Sequence, residues 1–488
     1  MNKPLRRVAV FCGLLVLALL VRVNYVQYVE AGQLSSDPHN RRVAINQFAQ
    51  PRGDIIVDGK AVTGHTTTTG SDFKYKQTFT DGPMWAPVTG YASQAYSTSM
   101  LEGVEDKFLT GDDDRLFFNR TVDLLTGKQK QGGNVVTTLN AKAQAAAYNG
   151  LGKKKGAVVA LDPRTGAILA MASTPSYDPG SFAGNSLTDE KNWNALQAKN
   201  DPDDPTLNRA LRQTYPPGST FKLVTAAAAL QDGKVSDVNA ATNSPDPYIL
   251  PGTTTPLNNE GDIPCKNATL TTALKYSCNT VFGKLGADVG LDAMNKEAAL
   301  FGFNKEQFVP VRSAASNFDT KMSPDQVAQS SIGQFDTTAT PLQMAMVASA
   351  IANDGKLMQP YEVDKLVAPN LSTIAQTSPK EMSQPLSEEN AKKLQSMMEA
   401  VVNSPGGTGG NAKISGVTVG GKTGTAQHGL NNKGLPYAWF VSYAKTDQGS
   451  PVAVAVVVED ASANRGDISG GGFAAPIAKS VMEAVLDK

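Results

Sequence analysis

The sequence predicts an α+β fold in which one sheet is built from both ends of the region that follows residue 150. Two apolar runs within 156–173 flank the turn sequence DPRTG, which is typical of an antiparallel hairpin. A helical block begins at Thr220, and three apolar strands near the C-terminus precede a last helix at 474–486. This order of hairpin, helices and strands indicates a sheet that joins the first strands of the region to the last.

The individual elements follow from hydrophobic spacing. The predicted helices of the central block span 220–230, 269–289, 291–301, 340–353 and 387–402. The predicted terminal strands span 417–426, 437–444 and 452–459. Before residue 150, the runs VAINQF, GDIIVDG, KAVTGHTTTT and FKYKQTF alternate as half-buried strands do, and NVVTTLNAKAQAAAYNGL predicts a strand followed by a helix.

The first 30 residues have the composition of a membrane anchor. Three basic residues precede an apolar run at 8–21, and mixed apolar residues continue to Val29. A spanning helix needs about 20 residues, a length that the run reaches if Arg22 extends its charge toward the headgroups. A cleaved signal peptide is the alternative, but no small-x-small cleavage site follows the run. Basic residues before the run place residues 31–488 outside the cytoplasm.

Composition and charge exclude several partners. Among 488 residues, 45 Lys and Arg balance 45 Asp and Glu, so we expect no nucleic acid partner. The three histidines form no Cys/His cluster, and we expect no metal and no cofactor. Cys12 lies in the apolar run, whereas an exported location favours a disulfide between Cys265 and Cys278 over two free thiols.

The segment YPPGSTFKLVTAAAAL (215–230) carries a chemical signal. Pro-Pro-Gly places Ser219 at a helix N-terminus, where the helix dipole favours developing negative charge. Lys222 shares the face of Ser219, and its apolar surroundings predict a neutral amine that can act as base for a serine nucleophile. Alone, such a pair is more often an N-cap serine with a surface lysine. Ser71 and Lys74 form a second pair of this type in polar surroundings.

Two further motifs accompany this pair. SCN (277–279) lies in a predicted helical stretch, and KTGT (422–425) lies in a predicted strand. Ser-x-x-Lys, Ser-x-Asn and Lys-Thr-Gly in this order mark β-lactamases and penicillin-binding proteins. The chain resembles class B penicillin-binding proteins of the short actinobacterial type without C-terminal repeat modules. The resemblance covers essentially the whole chain after the anchor, with further matching segments at 40–42, 52–55, 208–210, 340–345 and 437–444.

The resemblance implies a transpeptidase domain with an antiparallel sheet flanked by helices, as in serine β-lactamases. It also implies a strand-rich pedestal of the dimerisation-domain type. The expected division is 1–30 for a cytoplasmic stub and anchor, 31–150 for the pedestal and 151–488 for the penicillin-binding transpeptidase domain. The implied activity is a DD-transpeptidase of the cell membrane, facing outward, that cross-links peptidoglycan stem peptides ending in D-Ala-D-Ala and is acylated by β-lactams. The implied partner is a membrane glycan polymerase of the shape, elongation, division and sporulation type.

The resemblance assigns the reaction to three residues. Ser219 would attack the substrate carbonyl, Lys222 would act as its base, and Ser277 would relay the proton toward the leaving D-alanine. Backbone N–H groups of Ser219 and Thr425 would form the oxyanion hole.

Five residues are assigned to substrate binding. Asn279 would bind a substrate amide and hold the catalytic amine in place. Lys422 would supply positive potential that keeps that amine neutral. Thr423 and Thr425 would bind the terminal carboxylate, and Gly424 would keep the strand bare so that substrate can pair along it.

Two features depart from the family pattern. Cys278 is the middle residue of the second motif, and a bridge to Cys265 would fix the loop beside Ser277 and Asn279. Phe335 stands where many relatives have glycine. It either narrows a loop near the cleft or packs in the interior, and packing is favoured because buried aromatics are mostly core residues.

Four other functions compete with transpeptidation. A DD-carboxypeptidase would use the same residues with water as acceptor, and only the class B resemblance disfavours it. A non-catalytic β-lactam sensor would need a cytoplasmic signalling portion. A divisome scaffold would tolerate loss of Ser219. A β-lactamase would need a carboxylate-held water and no pedestal. An added glycosyltransferase domain would not fit into residues 31–150, because this segment is too short. The segment 112–120, which faintly resembles a glycosyltransferase signature, is better interpreted as an acidic turn before a short helix.

Overall fold

A five-stranded antiparallel sheet, the main sheet, forms the centre of the region that follows residue 150. The computed structural model describes residues 3–35, 37, 40–69, 71–199, 201–429, 432–459 and 464–487. In spatial order the strands are Thr418–Ala426, Tyr437–Thr446, Gly449–Glu459, Lys155–Leu161 and Ile168–Thr174. The early hairpin therefore pairs with the last strand, which confirms the predicted sheet built from both ends.

Helices cover both faces of the main sheet, because successive strand residues point to opposite sides. The helices Ala141–Leu151 and Ala475–Val485 lie on one face, in the cluster that contains Val456. The other face, which carries Val457, packs against Pro341–Ala352, a helix with all 12 residues buried. The sheet is thus a rigid interior layer, and its outer strand Thr418–Ala426 is available to border a cleft.

The remaining helices and short strands surround this layer. The other helices are Leu187–Ala195, Arg209–Arg212, Lys222–Gln231, Leu270–Tyr276, Asn279–Val289, Leu291–Leu300, Pro324–Ser330 and Glu388–Asn403. The two-stranded ribbons are Tyr248–Ile249 with Pro256–Leu257, Gln307–Phe308 with Arg312–Ser313, and Leu357–Met358 with Glu381–Ser383.

The prediction of one continuous helix over 269–289 is wrong. The structure has two helices, Leu270–Tyr276 and Asn279–Val289, because Ser277 adopts a left-handed backbone with φ of 63°. A non-glycine residue is uncommon there and often marks a functional constraint. The break places the second motif at a corner between helices.

A second five-stranded sheet, the pedestal sheet, takes three of its strands from the region predicted as the pedestal. Its strands in spatial order are Thr373–Gln376, Val363–Val367, Asn134–Thr137, Ile55–Val57 and Lys60–Ala61. Two of the five strands come from the C-terminal half of the chain, so the pedestal sheet joins distant parts of the sequence.

The other pedestal elements are short. They are the hairpins Thr63–Thr67 with Tyr75–Phe79 and Ala92–Ser93 with Ser97–Thr98, and the helices Gly82–Thr89, Met100–Val104, Asp106–Leu109 and Phe117–Thr126. The prediction of a strand at VAINQF is wrong, because the structure has the helix Arg41–Gln47. The ring of Phe48 after this helix packs edge-on against Phe73 at 6.0 Å, a contact that local alternation does not reveal.

The N-terminal segment is helical and exposed. It comprises the α-helix Lys3–Tyr25, a π-helical turn Val26–Glu30 and the helix Ala31–Ser35. The span Lys3–Leu34 is, among the described residues, the single helix long and apolar enough to cross a membrane. Within the described part of the chain, the apolar window of this span is not buried.

Candidate active site

Ser219 and Lys222 lie at the start of the helix predicted at 220–230, which in the structure begins two residues earlier as a 3-10 turn. A 3-10 turn, Gly218–Phe221, leads into the α-helix Lys222–Gln231. Ser219 is half-buried, whereas Lys222 is 0% exposed. Lys222 Nζ lies 3.0 Å from Ser219 Oγ. The hydroxyl thus faces the cleft while the amine approaches it from the protein interior.

The surroundings of the Lys222 amine determine how it can bond. Nζ donates to the carbonyl oxygen of Ser277 at 2.7 Å and to Oδ1 of Asn279 at 2.7 Å. Asn279 Nδ2 donates to the carbonyl oxygen of Asn258, which fixes the amide orientation. Both contacts on Nζ are acceptors, so they use the two N–H groups of a neutral amine. The lone pair then remains for a hydroxyl, and Ser219 Oγ is in place to donate to it.

The electrostatics of the site favour this neutral form. Burial lowers the pKa of Lys222 well below its usual value, and the neighbouring charge of Lys422 lowers that pKa further. The carboxylate of Glu260 acts in the opposite direction. A desolvated amine loses its proton more easily, so Lys222 can accept the proton of Ser219.

Ser277 connects the two buried lysines. Its Oγ lies 3.1 Å from Lys222 Nζ and 2.9 Å from Lys422 Nζ. Lys422 Nζ also donates to the carbonyl oxygen of Thr423 at 2.9 Å. Burial lowers the pKa of Lys422 to about 7, and Glu260 acts to raise it. The hydroxyl of Ser277 can therefore pass a proton between an amine that is neutral and one that is about half charged at neutral pH.

The third motif lies on the outer strand of the main sheet, Thr418–Ala426. Thr423 Oγ1 donates to Thr408 Oγ1 at 2.8 Å, and both Thr423 and Thr425 line the cleft. A Cβ on Gly424 would lie 3.0 Å from Thr220 Cγ2 and 3.1 Å from the carbonyl oxygen of Pro217. The glycine therefore allows the strand to approach the segment that carries Ser219.

The structure joins Cys265 and Cys278 in a disulfide. The bridge ties the loop after Leu257 to the corner that holds Ser277. By contrast, Ser71 and Lys74, the second Ser-x-x-Lys pair, are exposed at the surface of the pedestal.

The cleft contains residues that sequence reasoning missed. Two cavities of about 640 and 510 Å³ share the side chains of Ser219, Glu260, Asn279 and Thr425. The larger cavity is also lined by Thr408 and the segment 469–472. In the sequence, the glycine-rich stretches at 405–410 and 466–472 have the composition of ordinary loops, and no spacing signal distinguishes Glu260 from other acidic residues.

The favoured interpretation of Phe335 as an interior residue is wrong. Phe335 is 49% exposed, has a φ of 58° and lines the smaller cavity. Its neighbour Gly333 approaches Gly218 so closely that a Cβ would lie 2.0 Å from the Gly218 carbonyl oxygen. This contact holds the loop against the Ser219 turn and leaves Phe335 directed into the cleft.

The sheet, the covering helices and a serine beside a buried neutral lysine define a serine acyltransferase of the penicillin-binding class. Residues 156–483 match the penicillin-binding protein transpeptidase domain family, and residues 52–135 match the penicillin-binding protein A dimerisation domain family. The chain belongs to the penicillin-binding protein transpeptidase family.

Relatives of similar length are known. The peptidoglycan D,D-transpeptidase PbpA of Mycolicibacterium smegmatis is 40% identical over 499 aligned residues, which cover 100% of this chain and 99% of the relative. PbpA of Mycobacterium tuberculosis H37Rv is 39% identical over 502 residues, with the same coverage.

Solved structures have the same fold. Penicillin-binding protein A from M. tuberculosis, as a penicillin G acyl-enzyme complex, superposes with a TM-score of 0.82 at 38% identity, covering 90% of this chain and 100% of that one. The D,D-transpeptidase domain of a peptidoglycan glycosyltransferase from Eggerthella lenta gives 0.75 at 33% identity, covering 90% and 99%.

Proposed function

We propose that this chain is a membrane-anchored serine D,D-transpeptidase that cross-links peptidoglycan stem peptides and is acylated by β-lactams. Its relatives PbpA bear the name peptidoglycan D,D-transpeptidase, and a related structure is a penicillin G acyl-enzyme. One observation in this chain supports the proposal most directly, the buried Lys222 amine 3.0 Å from the Ser219 hydroxyl.

In the proposed mechanism, Ser219 Oγ attacks the carbonyl carbon of the penultimate D-alanine. Its proton passes to Lys222 Nζ, whose lone pair faces Oγ. Ser277, in contact with both lysines, carries a proton to the leaving D-alanine nitrogen as the peptide bond breaks. Backbone N–H groups of Ser219 and Thr425 stabilise the oxyanion, and removing such a donor typically costs about 2.7–4 kcal/mol.

Substrate binding is assigned to the residues that border the cleft. Thr423 and Thr425 line it and bind the terminal carboxylate, which Lys422 attracts in its charged form. Asn279 holds the amine of Lys222 through Oδ1 and binds a substrate amide. Gly424 lets the strand approach the Ser219 turn, and substrate pairs along its cleft side.

Labelling with a fluorescent penicillin tests the nucleophile. The wild-type protein should form a covalent adduct, and Ser219→Ala should form none. Ser71→Ala is the matched control, because Ser71 belongs to the exposed Ser-x-x-Lys pair and its replacement should leave labelling intact. Labelling that survives Ser219→Ala would assign the reaction to another residue.

We also propose an orientation and a partner. The span Lys3–Leu34 anchors the chain, with residues after it on the outer side of the membrane.

A membrane glycan polymerase of the shape, elongation, division and sporulation type contacts the anchor and the pedestal. The pedestal helix Phe117–Thr126 supports this partner, because it buries no residue and Phe118 and Leu125 are 77% and 81% exposed. Co-purification of the polymerase in mild detergent should be lost when Phe118 and Leu125 are replaced by Ser. Retention of the polymerase by that variant would exclude this contact.

The division into 1–30, 31–150 and 151–488 is kept as a proposal for folding units. Because the pedestal sheet includes Val363–Val367 and Thr373–Gln376, residues 31–150 produced alone should fold only with those strands supplied. Limited proteolysis of the two versions measures the difference, and equal resistance to protease would contradict it.

A further inference from the structure

Glu260 lies where the two halves of the catalytic cleft meet. It lines both the 640 Å³ cavity and the 510 Å³ cavity, together with Ser219, Asn279 and Thr425. Among the described residues that line these two cavities, it is the single carboxylate. A group in this position can contact a substrate in either half of the cleft while remaining close to the reacting serine.

The carboxylate of Glu260 is available to a ligand. The side chain is exposed, and within the described part of the chain it forms no hydrogen bond or ion pair. Its charge nevertheless reaches the buried amines, because it acts to raise the pKa of both Lys222 and Lys422. An unpaired negative charge that faces the reaction centre favours a cationic group of the substrate.

The loop that carries Glu260 is fastened at both ends to the second motif. On one side, the carbonyl oxygen of Asn258 accepts from Asn279 Nδ2 at 3.1 Å, and Asn259 Oδ1 accepts from Thr280 N at 3.1 Å. On the other side, Cys265 is bonded to Cys278. An exposed surface loop needs no such attachment, whereas a binding group must be held in a fixed place.

We propose that Glu260 binds the ammonium group of the acceptor strand and so guides that amine to the acyl-enzyme. This inference rests on the proposed transpeptidase function. Amines of amino acids are mostly protonated at neutral pH, so an acceptor enters the cleft as a cation. After it loses one proton to solvent, its nitrogen forms a bond to the acyl carbon. The ester bond to Ser219 Oγ breaks, and Oγ regains a proton from the amine.

The test measures how the acyl-enzyme partitions between aminolysis and hydrolysis. The full-length protein in detergent is acylated with a thioester donor that carries no amino group, in the presence of D-alanine. The ratio of aminolysis product to hydrolysis product is then measured at pH 7 for the wild type, Glu260→Gln and Glu260→Asp. This ratio does not depend on how fast the acyl-enzyme forms. Asp262→Asn is the matched control, because Asp262 is exposed on the same loop and lies outside the residues that line the two cavities.

Glu260→Gln should lower the ratio about tenfold or more, the effect expected for loss of a charge-assisted hydrogen bond, and Glu260→Asp should restore part of it. Asp262→Asn should leave the ratio unchanged. Hydroxylamine, which is uncharged at this pH, should give the same ratio in all variants. An unchanged ratio in Glu260→Gln, or an equal fall with hydroxylamine or in Asp262→Asn, overturns the role of Glu260. If the wild type forms no acyl-enzyme at all, the proposed function itself fails.

Discussion

The catalytic cleft and the pedestal both bury cationic side chains, but they surround them differently. In the pedestal, Arg52 is 4% exposed and contacts Glu102 at 2.8 Å and Asp106 at 2.7 Å. In the cleft, Lys222 and Lys422 are both 0% exposed, and their hydrogen-bond partners are hydroxyl, carbonyl and amide groups.

The difference in partners changes the protonation of the two sites. Burial acts to lower the pKa of Arg52, but the charges of Glu102 and Asp106 and their hydrogen bonds outweigh it and raise that pKa. Burial lowers the pKa of both Lys222 and Lys422, and the charge of Glu260, which hydrogen-bonds to neither amine, is too weak to offset it. Burial of a cationic side chain therefore has two different results. In the pedestal, Arg52 stays charged within an ion cluster, whereas in the cleft Lys222 becomes a reactive amine. The compensated charge is structural, and the uncompensated amine can do chemistry.

The largest expected effect concerns the reactive amine. Lys222→Met keeps the apolar length of the side chain but removes the base, and acylation by penicillin should slow by about 10²–10⁴-fold. The time course of fluorescent penicillin labelling measures the rate. Lys74→Met, in the exposed pair on the pedestal, should label like the wild type. Near-normal labelling of Lys222→Met would show that the Lys222 amine is not the base. The cleft would then contain no reactive amine to set against the structural ion cluster of the pedestal.

Replacing Arg52 in the pedestal cluster of Arg52, Glu102 and Asp106 should change the stability of the protein and not its rate of labelling. Arg52→Met leaves Glu102 buried without a cation, which should lower the free energy of unfolding by about 3–5 kcal/mol. The labelling rate of the remaining folded protein should not change. Denaturant unfolding in detergent measures the loss, and Lys142→Met, which breaks an exposed pair with Asp487, should produce no measurable shift. An Arg52→Met protein as stable as the wild type would show that the cluster has no structural role.

The pH dependence of acylation should report both lysines. Below the lowered pKa of Lys222, the neutral fraction and the rate should fall about tenfold per pH unit, since the amine becomes protonated. Above about 7, Lys422 loses its charge, so donors with a terminal carboxylate should react more slowly, whereas donors without one should not. Stopped-flow acylation across pH 5–9 tests this, and an identical decline for both donors would contradict the role of Lys422.

These lowered pKa values also give the sign of a stability effect. Between the folded pKa of about 7 for Lys422 and the unfolded value of about 10.4, the unfolded state binds more protons. The contribution of Lys422 to stability is therefore lowest below 7 and rises as the pH increases through this window.

The smallest expected effect concerns a buried acid that has no cationic partner among the described residues. Glu362 is 0% exposed, and burial raises its pKa well above the usual value. The folded state then holds a proton that the unfolded state releases above about 4.3, so its contribution to stability falls as the pH rises from there. Glu362→Gln should flatten this slope and be at least as stable at pH 7. Melting temperatures from pH 4 to 8 measure the slope, with the exposed Glu381→Gln as control. An unchanged slope would mean that Glu362 is ionised in the folded protein.

Much of the fold could be predicted from local patterns. The hairpin at 156–173 and the strand at 437–444 carry apolar runs whose spacing identifies them without reference to the rest of the chain. The break at Ser277 was missed, because the apolar spacing continues through it while the backbone bends. The membership of Val363–Val367 in the pedestal sheet was also missed, because strand pairing over such a distance leaves no local signal.

The candidate membrane span, the α+β layout and the pair Ser219 and Lys222 can be recognised from the amino-acid sequence alone. Hydrophobic spacing and a separation of three residues on one helix are properties of neighbouring residues, so they can be read along the chain. Three positions are visible only in the folded protein: Ser277 lies between two buried amines, Phe335 faces the cleft, and Glu260 borders both of its cavities. Those positions depend on segments that are distant in the sequence and pack together in the fold. Burial of the two amines results from that packing, so it cannot be read from neighbouring residues.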